Sequence, residues 1–136
     1  MTVTSKQSTN SKTLSPKDIK DWKFKKEAVI PDGSLYFFNS WIPTEDALLS
    51  PEIIDLLGYR PEEFSGQWFN HIHPQDWVFY ATEICKSFAA HETFTQQYRL
   101  QKKDGSYALI EDYCEPIVDA QGNIINTIGY IIEASK

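Results

Sequence analysis

The chain has 136 residues, 41% of them hydrophobic and 14% aromatic, which suits one folded domain and excludes a wholly disordered chain. Its net charge of −6 is uneven: residues 1–26 carry seven Lys against Asp18 and Asp21, and the remainder carries six basic residues against seventeen acids. No apolar run approaches the roughly 20 residues that cross a bilayer, and Cys85 and Cys114 lack metal-ligand spacing, so the expectation is a cytoplasmic protein with reduced thiols and no membrane partner.

Residues 1–14 read as a disordered basic tail, and without Arg or interleaved aromatics no nucleic-acid partner is expected. Residues 15–33 read as a flanking helix and linker. Ser15-Pro16 supplies an N-cap and a first-turn proline, and Ile19, Trp22 and Lys26 fall on one helical face. After the turn Pro31-Asp32-Gly33, the aromatic run 35–42 predicts a first strand and 47–49 a second. Ser50-Pro51-Glu52 looks like the cap of a helix carrying Ile53, Ile54, Leu56 and Leu57, stopped by Gly58. Short turns follow at 61–64 and around Trp68, Phe69 and Ile72. From Pro74, the residues Trp77, Val78, Ala81, Ile84, Cys85 and Phe88 recur every three or four positions, predicting one long amphipathic helix that ends near His91.

From Thr93 the period becomes two. Strands are predicted at 94–101, 107–118 and 124–133, joined by turns at Asp104-Gly105 and Gln121-Gly122. The last strand is apolar on both faces, with Ile128, Tyr130 and Ile132 on one and Ile125, Thr127 and Ile131 on the other. A sheet with two apolar faces needs two covers.

Several local signatures occur in order: Ser50 through Leu56-Leu57-Gly58-Tyr59, Pro61-Glu62-Glu63-Phe64, His71-Ile72-His73-Pro74-Gln75-Asp76, Tyr98-Arg99-Leu100-Gln101-Lys102-Lys103-Asp104-Gly105 and Ile128-Gly129-Tyr130. Together they resemble the PAS domain with its PAC segment, over residues 34–136. The resemblance implies an α+β fold: a five-stranded antiparallel sheet of order 2-1-5-4-3, with short helices and one long helix packed on one face around a pocket. The other face, in such domains, meets a flanking helix or a second subunit. The family's strand-ending "DIT" reads here as Glu133-Ala134-Ser135, and output is expected to pass through a partner if the chain is complete, or through an effector that has been lost if it is a fragment.

His71 and His73 are too few for a metal site and are read as structural. Relatives that bind haem take a histidine from the long helix, where Trp77 to Ala90 has none, and the cysteine of flavin-photoadduct relatives is missing from Gly66-Gln67-Trp68-Phe69-Asn70-His71. Haem and covalent flavin are therefore not expected, while a non-covalent small ligand, flavin included, stays open. Cys85 is read as packing on the long helix, and the acids beside Cys114 should raise its thiol pKa. Glu111, Asp112 and Glu115 are read as solvent-side, with Glu111 and Glu115 on one face and Asp112 on the other. No nucleophile–base pair or phosphate loop has credible spacing, so no enzyme activity is expected.

Two functions remain. One is a non-catalytic signalling module that forms a homodimer or binds a partner through its outer face, with Ile19, Trp22, Ile125, Thr127 and Ile131 at the interface. The other is a small-molecule sensor with an aromatic pocket, against which stands a core filled completely by the same bulky side chains, the reading favoured by so many large rings and so few small residues. That pocket would take Phe37, Asn39 and Trp41 from the first strand; Leu48, Ile54, Leu57, Phe64, Trp68 and Phe69 from the hairpin and short helices; Tyr80 and Ile84 from the long helix; and Tyr98, Leu100, Leu109, Tyr113 and Tyr130 from the meander.

Overall fold

A computed structural model describes residues 14–25, 30–40, 47–64 and 68–134. The elements run α1 (Pro16–Lys20), β1 (Leu35–Ser40), β2 (Ala47–Leu49), α2 (Ile53–Leu57), α3 (Pro61–Phe64), α4 (Trp68–His71), α5 (Pro74–Ala89), β3 (Phe94–Gln101), β4 (Tyr107–Val118) and β5 (Ile124–Glu133). All five strands join one antiparallel sheet in the order β2-β1-β5-β4-β3, as the resemblance implied.

Local chemistry explains most boundaries. Ser15 and Asp18 form a reciprocal capping box at the start of α1. The helix stops at Asp21, short of the expected face through Lys26, and non-helical Trp22 and Phe24 then reach the sheet. Ser50 does not cap α2. Its Oγ accepts a hydrogen bond from the Tyr36 N–H at 3.0 Å, and the helix begins at Ile53 without a side-chain cap. Gly58 ends it at φ 89°, where its N–H reaches the carbonyls of Ile53 and Ile54.

At the start of α5, His73 Nδ1 accepts from the Gln75 N–H at 3.0 Å. Asp76 holds Arg99 of β3 by three hydrogen bonds, from the backbone N–H and Nε at 2.9 Å and from Nη2 at 2.7 Å. That pairing keeps the Asp76 carboxyl below the usual carboxylate range. Only one stripe of α5, Tyr80, Ile84 and Phe88, is buried. Trp77, Val78 and Cys85, expected on that face, are exposed, because a helix lying flat on a sheet hides little more than one row spaced by four.

Two cores lie on opposite sides of the sheet. The inner core sits under α2–α5 and includes Phe37, Leu57, Phe64, Tyr80, Tyr98 and Ile110. The outer core is closed by the N-terminal segment: Ile19 and Phe24 pack on Tyr36, Phe38, Tyr113 and Ile128, with Leu14 and Trp22 at its margin. The expected tail over residues 1–14 otherwise falls on residues 1–13, outside those described.

Register decides which face each strand residue takes. Phe37 pairs with Gly129 and Leu35 with Ile131, so Ile131 lies in the inner core, while Ile128 and Tyr130, opposite Phe38 and Tyr36, belong to the outer one. A bulge at Ile125, between the pairs Ile117–Asn126 and Val118–Ile124, places Ile124 with the inner core and Ile125 with the outer.

Gly129 lies between β1 and β4. A Cβ there would meet the Tyr113 carbonyl oxygen and come within 2.6 Å of Cys114 Cβ. Gly129→Ala is therefore expected to lower the unfolding free energy in urea by about 1–3 kcal/mol, with an unchanged m-value. A loss below ~0.5 kcal/mol would mean that β4 yields easily.

Candidate ligand-binding site

The inner core holds a polar network built around a carboxyl that was expected toward solvent. β4 points Ala108, Ile110 and Cys114 at the helices, and Asp112 takes its turn in that series with 1% of its surface exposed. The Tyr98 hydroxyl, from the neighbouring β3, donates to Asp112 Oδ2 at 2.5 Å. Trp68 Nε1, from α4, donates to the same hydroxyl at 2.9 Å. The Cys114 thiol, two residues along β4, donates to Asp112. Tyr80 lies edge-on to Tyr98, with ring centroids 4.7 Å apart, and Trp68 packs on Phe37 and Phe64.

Asp112 Oδ1 is left without a partner. So is Oε1 of Gln96, the residue directly opposite Asp112 in the β3–β4 ladder. Burial pushes the Asp112 carboxyl up to about 7, against the hydrogen bonds from Tyr98 and Cys114, which lower it. Burial also raises the Tyr80 and Tyr98 hydroxyls and the Cys114 thiol well above their ordinary values, so all three keep their protons, and Tyr98 and Cys114 donate theirs to Asp112.

The sequence placed Asp112 and Glu115 toward solvent. Both are buried, on opposite faces, because β4 has a strand on either side and cover above and below. Of the expected pocket residues, Phe37, Leu57, Phe64, Trp68, Tyr80, Ile84, Tyr98 and Leu100 do meet in the inner core. Leu48, Tyr113 and Tyr130 instead belong to the outer one. Ile54, Phe69 and Leu109 are exposed. Asn39 stands opposite Thr127 in the β1–β5 register, and Trp41 lies outside the described residues.

Of the expected interface residues, Ile19, Trp22 and Ile125 pack in the outer core. Ile131 is inside, and Thr127 shares its face by alternation, so these two present no outer surface. His71 is held by Tyr59, whose hydroxyl lies 3.2 Å from Nδ1, and stacks on Phe64; desolvation lowers its pKa.

The elevated Asp112 pKa has a signed consequence. Between the ordinary 3.8 and about 7, the folded protein holds a proton that the unfolded chain has released, so this group's contribution to stability falls as pH rises through that window and is level above it. The stability difference between wild type and Asp112→Asn should therefore move against the wild type by up to ~1.4 kcal/mol per pH unit across the window in urea melts. A difference that does not change with pH would show a carboxyl titrating normally.

The comparisons with known proteins agree with this architecture. A family model described as the PAS fold matches residues 47–131. No curated protein is matched by the sequence. Among solved structures, the N-terminal domain of a diguanylate cyclase with PAS/PAC sensor from Marinobacter aquaeolei superposes with TM-score 0.66 at 22% identity, covering 74% of this chain and 94% of that one. A PAS domain from Colwellia psychrerythraea gives 0.66 at 19% identity, over 87% and 92% of the two chains. The PAS-B domain of Drosophila melanogaster Cycle, a W398A variant with bound glycerol, gives 0.64 at 17% identity, over 74% and 99%. With the family model matching more than half of its length and the sheet order found here, the chain belongs to the PAS-fold family.

Proposed function

We propose that this domain is a non-catalytic sensor, that a small molecule binds against the Tyr98–Asp112 network, and that occupancy is reported through the N-terminal segment to a signalling partner. One observation carries the reading. Along β4, residues serving the inner network alternate with residues that hold the outer cover: Asp112 and Cys114 face the helices, while Tyr113 and Glu115 face the N-terminal segment. A displacement of β4 on one side is a displacement on the other.

The hold on the outer side is specific. Glu115 Oε2 accepts from the Lys25 N–H at 2.6 Å and from the Tyr113 hydroxyl at 3.3 Å. Lys25 Nζ donates to the His91 carbonyl at 2.7 Å, and Phe24 lies edge-on to Tyr113 and Tyr130. Trp22 Nε1, by contrast, is buried without a partner, a cost of about 1–3 kcal/mol that weakens this attachment. A bound small molecule in the Cycle PAS-B neighbour lends support from the same fold.

The test has two arms. Native mass spectrometry of protein purified from cells should find a retained small molecule, and a bare chain mass counts against the sensor. Glu115→Ala should raise amide exchange over residues 22–25 about tenfold, the equivalent of one lost buried hydrogen bond. Unchanged exchange there would detach the N-terminal segment from the proposed output.

A second reading, docking of a second copy or a protein partner, is favoured by the exposed apolar side chains Phe69, Trp77, Val78 and Phe79 around the start of α5. Light scattering that shows a dimer dissociated by Val78→Glu would favour it.

A further inference from the structure

Resting on the sensor reading above, we infer that the inner site takes a small organic ammonium, whose N–H donors meet Asp112 Oδ1 and Gln96 Oε1. Buried polar atoms are nearly always paired, and a pair of buried acceptors side by side marks a missing donor. Asp112 and Gln96 are directly opposed on β3 and β4, both on the helix-facing side, and each keeps one oxygen without a partner.

The identity of the donor follows from charge. Every group that hydrogen-bonds Asp112 is neutral: the Tyr98 hydroxyl and the Cys114 thiol. The titratable groups facing it from the packed elements are Tyr98 from β3, Tyr80 from α5 and Cys114 beside it on β4. Cys85 lies behind Tyr80, and Ile131 is the β5 residue opposite. None of them supplies a positive charge, and among the described residues the buried charged side chains are the carboxylates Asp112 and Glu115.

An ionised carboxylate with only neutral donors is costly in the interior. A water can bridge two acceptors but cannot offset the charge. A divalent metal would want more oxygen ligands than are present, and among the described residues no group of three His, Cys, Asp or Glu side chains is placed to hold one. Three solutions remain. The Gln96 amide turns its Nε2–H toward Oδ1, a proton on Asp112 makes Oδ1 a donor toward Gln96, or an ammonium donates to both oxygens. Of the two that leave Asp112 ionised, only the ammonium brings the positive charge. The rings of Trp68, Tyr80 and Tyr98 around this point favour a cation further. Proton and ammonium then compete for the same oxygen, and each binding event below the carboxyl's titration releases one proton to solvent.

The experiment compares matched probes on the whole chain: ethanolamine against ethylene glycol, and phenethylamine against 2-phenylethanol, by thermal unfolding and titration calorimetry. At least one amine should raise the unfolding temperature while its alcohol does not. Its affinity should rise about tenfold per pH unit below about 7 and level off above. Asp112→Asn keeps an acceptor for Tyr98 and a donor for Gln96, so it should fold and lose the amine response, and Gln96→Met should weaken the response several-fold. If an alcohol binds as well as its amine, or if Asp112→Asn still responds, the ammonium assignment is overturned while the sensor reading stands. If no probe binds and the purified protein retains no molecule, both are overturned.

Discussion

Burial of β4 and β5 on both faces is the constraint on which the other features depend. They have sheet neighbours on either edge, helices over one surface and the N-terminal segment over the other. No residue over most of their length reaches water by turning to the far side. Any polar group placed there must be satisfied from within, which is why Asp112 recruits Tyr98 and Cys114, and why Glu115 recruits the backbone of Lys25. The same burial makes Gly129 a requirement of close approach, since β1 and β4 flank it on both sides.

For the proposed output the consequence is mechanical. Period-two geometry makes adjacent residues of a strand the contents of different cores, and the run Asp112-Tyr113-Cys114-Glu115 is the place where those cores carry opposite kinds of chemistry. The inner pair ends in a carboxyl with an unfilled acceptor, and the outer pair ends in a carboxyl that grips the N-terminal segment. In a close-packed interior, sub-ångström shifts are not absorbed by empty space. The outer attachment carries an unpaired indole N–H and a short helix of five residues behind it. For the proposed ligand, a differential binding energy of a few kcal/mol would be commensurate with such an attachment.

What the sequence revealed and what it hid divide along the same line. The meander strands were legible because apolar alternation and turn glycines are local signals, and the observed strands at Phe94–Gln101, Tyr107–Val118 and Ile124–Glu133 follow them. Alternation alone, however, separates two faces without saying which is inner. Tyr130 was assigned to the pocket and Ile131 to the outer surface, and only the pairing of Phe37 with Gly129 shows the reverse. The bulge at Ile125 changes parity within one strand and leaves no mark in composition. On α5, apolar residues outnumber the buried stripe, so periodicity alone could not exclude Trp77 and Val78. One signal for Asp112 was present. Apolar residues occupy both parities from Ala108 to Ile117, which implies a strand covered twice and a carboxyl held inside it.

A protein tuned for stability alone would not keep this carboxyl. Asn at the position could accept from Tyr98 and donate to Gln96 with no charge to desolvate, and a Leu would fit an inner face made mostly of apolar side chains. The aspartate costs the fold free energy at neutral pH, and its Oδ1 lacks a partner, as does Oε1 of Gln96, the residue paired with it on β3. Local choices that oppose the global packing tend to mark function. Here two of the unpaired buried atoms are oxygens on neighbouring strands that face the same inner core, and their conflict is relieved by whatever brings a proton or a positively charged donor to that point.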